Sequence, residues 1–223
     1  MFYGVINESK NLYKRPDIGE LRKYKGVIIG EIHSGKMISY YKSLINTLKP
    51  EYFISELAHE DIVLSQKELK DRLDKATNGK FLKNIPDYQD NYEIYKLAYD
   101  CGVKLIGCDL ENGKYKSADE EMKTRESFML SRINKYSKHK FICQLGDFHL
   151  RSIPIDEDFY KTMKQSSTDN TGNRGYSIYV HFASSIWKKY NNSKEVIISR
   201  EPTEYNNELE YLQKKEEWLC SMV

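Results

Sequence analysis

The sequence predicts one α/β domain over residues 1–223, with a central, mainly parallel sheet flanked by helices. Three observations carry that expectation. Short β-branched and aromatic runs alternate with stretches of helical periodicity, the order in which βαβ units are written. Four of the runs end in ionisable residues, as parallel strands do when their carboxyl ends line a ligand-binding edge. The 223 residues contain no internal repeat, low-complexity tract or Pro/Gly-rich linker, so they suit a single core.

Taken in order, Lys25–Gly30 is the first expected strand. Met37, Tyr41, Leu44 and Leu48 then share one helical face, suited to packing on a sheet. Tyr52–Ser55 is the second strand, and Ile62, Leu69, Leu73 and Ala76 form the apolar face of a second helix. Val103–Cys108 is the third strand. Ser117 followed by Glu120 is a capping box, opening a helix that runs to about Tyr136 with Ala118, Met122, Met129, Ile133 and Tyr136 in line. Arg125 is placed on that same line. A buried guanidinium needs partners, so Arg125 is expected to meet carboxylates inside the fold. Lys140–Leu145 is the fourth strand, and Tyr176–Ala183 and Glu195–Ser199 follow a polar stretch, Gln165–Gly175, that suits a lid.

Composition excludes several classes. Thirty-five Lys and Arg against 33 Asp and Glu leave a net charge of +2 with the signs interspersed, which is no footprint for nucleic acid. No uninterrupted apolar run is longer than Val27–Ile29, far short of the roughly 20 residues of a membrane span, and no basic stretch leads into an apolar one at the N-terminus. The expectation is a soluble, cytoplasmic protein without a membrane or nucleic-acid partner. Cysteines 101, 108, 143 and 220 lack CxxC or zinc-ribbon spacing and read as free thiols.

The chemistry gathers at the strand ends. VIIG runs into Glu31 and His33, YFIS into Glu56, LIGC into Asp109 and Glu111, and FICQLG into Asp147 and His149. In a parallel sheet these endings share one edge and predict one polar site. His33 and His149 each follow a carboxylate by two residues, in G-E-x-H and G-D-x-H, and period-two alternation would send acid and imidazole to the same side. That pairing suits either a shared metal or an acid and base flanking a substrate. His59 and His139 read as solvated or structural, and His181 as packed.

The D-x-H at Asp147 is shared with calcineurin-like metallophosphoesterases, but their G-N-H-[DE] box is absent. Four segments taken together, GEIH at 30–33, ISEL at 54–57, RESFML at 125–130 and QLGDFHL at 144–150, resemble the motifs of the erythromycin esterase and ChaN-like superfamily, which includes the Tiki and TraB proteins. They occur in that superfamily's order between Gly30 and Leu150. The resemblance implies an EreA/ChaN-like fold and functional roles for Glu31, His33, Glu56, Arg125 and His149. Its members span metal-independent ester hydrolysis, metal-dependent peptidase activity and haem binding. The expected function is therefore a hydrolase acting on an ester, amide or phosphoester small molecule or a peptide. In it Glu31, His33, Glu56 and His149 activate water, directly with a histidine as base or through a divalent ion such as Mn or Zn that they hold. Arg125 and Arg151 would stabilise the oxyanion, and Asp109 would contact substrate. The alternative is a metal- or haem-binding protein of the ChaN-like type that does not turn over.

Overall fold

The computed structural model describes residues 17–31, 37–59, 63–64, 67, 86–110, 115–152, 180 and 182–200. Its strands are β1 (Gly26–Glu31), β2 (Tyr52–His59), β3 (Val63–Leu64), β4 (Lys104–Asp109), β5 (Phe141–Gly146) and β6 (Val196–Arg200), and its helices α1 (Ile18–Leu21), α2 (Ile38–Leu48), α3 (Pro86–Asp100), α4 (Ala118–Tyr136) and α5 (Ser185–Tyr190). The strands make one sheet in the order β3-β4-β2-β5-β1-β6. All neighbours pair parallel except β3, which adds to β4 antiparallel at the edge.

Period-two alternation divides each central strand between two cores. Val27, Ile29, Phe53, Leu105 and Ile142 pack against Tyr41, Leu44, Ile45 and Leu48 of α2 and Ile94 and Ala98 of α3. Ile28, Ile54, Ile106, Cys143 and Leu145 pack on the other face against Met129 and Ile133 of α4 and Ile186 of α5. With both faces covered, β1 and β5 are buried along their whole length, which is why they read as near-continuous apolar runs.

The distribution of helices follows from handedness. From β1 to β2 to β4 the chain moves across the sheet in one direction, and from β4 to β5 to β6 it returns in the other. Right-handed crossovers moving in opposite directions place their helices on opposite faces, so α2 and α3 share one face and α4 and α5 the other. β5 is inserted between β1 and β2, so that neighbouring strands lead into connections of opposite direction, the position at whose carboxyl edge open α/β sheets generally bind ligands.

Local chemistry accounts for the best-defined helix. Ser117 Oγ accepts from the Glu120 amide at 3.2 Å, and Glu120 reaches back to the Lys116 amide at 2.7 Å. The acidic first turn, Asp119 to Glu121, complements the helix dipole. Gly102 closes α3 with a left-handed φ of 76°, a conformation that glycine adopts without side-chain strain.

Three expectations need correction. Val63 and Leu64, placed on a helix with Ile62 to Ala76, form β3 opposite Ile106 and Leu105. A β-branched residue beside the open edge of β4 gains ladder hydrogen bonds there that a helix start does not offer. Apart from Lys67, residues 65–76 lie outside the described residues, as does the expected lid, 165–175. Of the run Tyr176–Ala183, Val180 makes an isolated bridge, Phe182 and Ala183 are not in a strand, and the others lie outside the described residues. Lastly, the strand does not continue through Asp147 and His149. Asp147–Leu150 is a 3₁₀ turn, in which residues two apart point in different directions.

That turn is seated on β1. A Cβ built at Gly30 would overlap Asp147 Oδ1 and stand 2.9 Å from Leu150 Cδ1 and 3.3 Å from Asp147 Cα. Glycine permits this close approach, and the turn in consequence lies directly over the end of β1. Gly30→Ala is expected to lower stability by about 1 to 3 kcal/mol in urea unfolding, as overpacking does. A Gly30→Ala protein as stable as the parent would show that the turn moves freely.

Candidate functional site

β2, β4, α4 and the 3₁₀ turn deliver one continuous ionic chain to the carboxyl edge. Arg125 donates to Asp109 through Nε at 2.9 Å and Nη2 at 2.6 Å, a two-pronged contact, and Nη2 also reaches Glu56 Oε1 at 3.4 Å. Glu56 accepts the backbone N–H of Gly146 through Oε2, while its Oε1 faces His149 Nε2 at 3.2 Å. On the far side of the imidazole, His149 Nδ1 lies 3.6 Å from Glu126 Oε1, and Arg151 Nη1 donates to the same oxygen at 2.5 Å. From Asp109 through Arg125, Glu56, His149 and Glu126 to Arg151, negative and positive groups alternate.

Burial opposes the charged form of His149, but the field of Glu56, the Glu126 carboxylate facing Nδ1 and the contact of Nε2 with Glu56 outweigh it and hold the imidazole up at about 9. At neutral pH His149 is therefore an imidazolium, a proton donor rather than the base that its ordinary pKa suggested. Burial also opposes ionisation of Glu126, yet His149 and Arg151 hold its carboxyl below the ordinary range. Burial works against the Arg125 charge too, and Asp109 and Glu56 overcome it, raising the guanidinium further. Cys108 goes the other way. Burial, reinforced by Cys143, pushes its thiol well up, so it is no thiolate nucleophile.

Glu31 stands at the same edge but on the other face. It shares the parity of Val27 and Ile29, and its carboxylate accepts from Tyr41 Oη at 2.9 Å and Gln144 Nε2 at 2.9 Å. Ser55 Oγ donates to Gln144 Oε1 at 2.9 Å and lies 2.8 Å from Tyr95 Oη, extending this second polar network towards α3. The two networks meet at Gly146, which pairs with Glu31 across the β1/β5 ladder and donates its amide to Glu56.

Of the expected site residues, Glu56, Asp109, Arg125 and His149 are thus brought into contact, and Glu31 is set across Gly146 from them. His33 lies outside the described residues, as does Glu111. Arg151 does not face an opening. It is wholly buried, with its guanidinium over Phe182 at 5.0 Å and Phe148 at 5.5 Å and on the carbonyls of both. Arg125 is not on the buried stripe of α4 either, being 23% exposed. The buried stripe is Met122, Glu126, Met129, Ile133 and Tyr136.

Glu126 is the member of the ionic chain that sequence reasoning missed. A legible signal was present, because the intervals of four, three, four and three along that stripe put Glu126, not Arg125, among the apolar residues. Gln144 had a weaker signal, a polar residue inside the apolar run of β5.

Two of the four donors expected to hold a metal, Glu56 and His149, are committed to other partners in this arrangement. Imidazole ligates as the neutral ring, whereas both nitrogens of His149 face carboxylates that favour its proton, and Glu56 is shared among Gly146, Arg125 and His149. Among the described residues no group of three or more His, Cys, Asp and Glu side chains is arranged around a cation position. No described helix is long and apolar enough to cross a membrane.

No family model and no curated protein matches the sequence. The solved structures to which this chain is similar include three bacterial effector or toxin chains. The type III effector HopBA1 superposes with a TM-score of 0.44 at 16% identity, covering 66% of this chain and 82% of its own. RRSP, a MARTX toxin effector domain from Vibrio vulnificus, gives 0.44 at 15% identity over 69% of this chain and 34% of its own. A structure of the C-terminal region of Pasteurella multocida toxin, described as having a thiol-protease-like catalytic triad, gives 0.45 at 16% identity over 69% and 24%.

Two measurements probe the ionic chain. Arg125→Ala leaves Asp109 and Glu56 facing each other without their counter-ion and is expected to cost about 3 kcal/mol in urea unfolding. A parent-like stability would place those carboxylates effectively in water. His149 has a folded-state pKa near 9 against 6.5 for the ordinary group, so its contribution is complete below pH 6.5 and disappears as pH rises through 9. The parent should lose on the order of 3 kcal/mol between those limits that a His149→Gln variant does not lose. Parallel stability curves for the two proteins would refute the raised pKa.

Proposed function

We propose that the chain is a hydrolase of the erythromycin esterase/ChaN-like type, acting on an ester or amide carbonyl at the carboxyl edge of the sheet. The observation that supports this best is the ionic chain centred on His149. A buried ion pair rarely stabilises more than apolar packing of the same volume, so six alternating charges across a core are poorly explained by stability. Such clusters gather where pKa values are set for proton transfer.

Each group has a task in this reading. Glu31, on one side of Gly146, takes a proton from the attacking water. Arg125 and the His149 imidazolium place positive charge beside the oxyanion as it develops. His149 then passes its proton to the leaving group, and Glu56 keeps the ring in the charged form until it does so. Asp109 holds the Arg125 guanidinium by two hydrogen bonds and so fixes its orientation, with Nη1 3.6 Å from Glu121 Oε1. Carboxylates on both sides of Gly146 repel a phosphate dianion, which favours carbonyl substrates over phosphoesters. Resemblance assigns His33 a part in the same chemistry.

A panel of activated and unactivated esters and amides tests the reading. The parent should turn over at least one member, with activity falling as pH rises through about 9 because His149 loses its proton there. Glu56→Gln and His149→Asn should each lower kcat/KM by about 100- to 10,000-fold while remaining folded. An inert parent, or folded variants as active as the parent, would refute the proposal. Activity that appears only with added Mn or Zn, together with a metal-dependent rise in Tm, would replace it with a metal-assisted mechanism.

A further inference from the structure

The half of the ionic chain that lies behind His149 has no part in bond making, yet it is the most deeply buried half. Glu126 and Arg151 are both without solvent exposure. Glu126 is held by Arg151 Nη1 at 2.5 Å through one oxygen and by the Ser185 amide at 3.3 Å through the other. Arg151 is in turn fixed by Phe148 O at 2.8 Å and Phe182 O at 3.2 Å. Ser184 closes the arrangement, with Oγ donating to His149 O at 2.5 Å and its amide donating to Arg151 O at 3.0 Å. The same hydroxyl caps α5 by accepting from the Ile186 and Trp187 amides. The segment Phe182–Ser185 thus braces the backbone of the turn that carries His149 and the carboxylate behind its ring.

The imidazole itself has no other support on that side. His149 Nδ1 is buried, meets no hydrogen-bond partner among the described residues, and faces Glu126 Oε1 across 3.6 Å. A ring carried by a short 3₁₀ turn can rotate about its terminal torsion, which is broad, unless both edges meet fixed groups. Glu56 supplies one such group at Nε2 and Glu126 the other at Nδ1.

We infer that Glu126 is a positioning residue for His149, and that Arg151 and the Phe182–Ser185 segment form a rigid brace that aims its carboxylate at Nδ1. Its consequence for catalysis rests on the hydrolase reading, but the positioning itself does not. Glu126 touches neither water nor substrate; it acts through the ring, as the orienting acid of an acid–histidine pair does.

Ring NMR of the full chain carrying 15N-labelled histidine separates positioning from mere packing. The chain has five histidines, and a His149→Asn sample identifies the signals of interest. At fixed pH 7.5, Glu126→Gln should shift and broaden the His149 ring signals while the others stay in place, and Glu126→Asp should recover them in part. Ile133→Val, a methyl deletion at a buried position on the same helix, should lower Tm without moving those signals. Ser185→Pro provides a second route should Glu126→Gln fail to fold. It removes the amide that holds Glu126 at the first position of α5, where proline is tolerated, and Ser184, with φ −53° and ψ 135°, is already in the conformation that precedes proline. It should move the His149 signals in the same direction by less. His149 signals identical to the parent's in a folded Glu126→Gln protein, or in Ser185→Pro if that alone folds, would overturn the inference. If the ester and amide panel is turned over, Glu126→Gln should lower kcat on the order of 100-fold with KM within about twofold. An inert parent would refute the hydrolase reading and leave the ring measurement decisive for Glu126.

Discussion

The carboxyl edge depends on Glu56. From β2, one residue past its paired stretch with β5, its carboxylate accepts the Gly146 amide of the neighbouring strand, meets Arg125 from α4, and faces His149 from the turn after β5. Three parts of the chain, β2, α4 and β5 with the turn that follows it, are joined at one pair of oxygens. Without that acceptor, the Gly146 amide would be an orphan at the end of the sheet, and the two cations would face each other across a desolvated gap.

The strand order makes the convergence possible. Because β5 is inserted between β1 and β2, Gly146 has an acidic neighbour on both sides, Glu31 on one face and Glu56 on the other. The pleat keeps these two carboxylates apart, so each develops its own partners. Glu31 is held by neutral donors, Tyr41 and Gln144, whereas Glu56 is held by an amide and two cations. Two carboxylates of the same edge are thereby given unlike surroundings, which is the general means by which paired acids acquire different roles.

Electroneutrality is local along the ionic chain. Each buried charge has an opposite charge as neighbour, so no single group has to meet the full desolvation penalty. The sequence of signs also explains why the imidazole is charged: carboxylates stand at both of its edges, while Arg125 and Arg151 stand one position further away. The same surroundings leave Cys108, buried near these acids, as an unreactive thiol.

The alternation of β-branched runs and helical stripes, the capped start of α4, and the acids at the strand ends were all legible in the amino-acid order. Each follows from local periodicity or a local hydrogen bond, which need no knowledge of the partner element. The pairing of Arg125 with carboxylates was also foreseeable, because a guanidinium beside an apolar stripe must be neutralised whatever the topology. Tertiary structure decided the rest. The pleat parity at the strand ends put Glu31 and Glu56 on opposite faces, and a 3₁₀ turn rather than an extended continuation turned His149 away from Asp147. The seating of that turn over Gly30 and its brace from Phe182–Ser185 brought Glu126 behind the imidazole. These outcomes depend on contacts between residues 25 to 90 positions apart, and such contacts leave no periodic trace along the chain. The charge of His149 belongs with them, since an imidazole takes its pKa from what surrounds it in space.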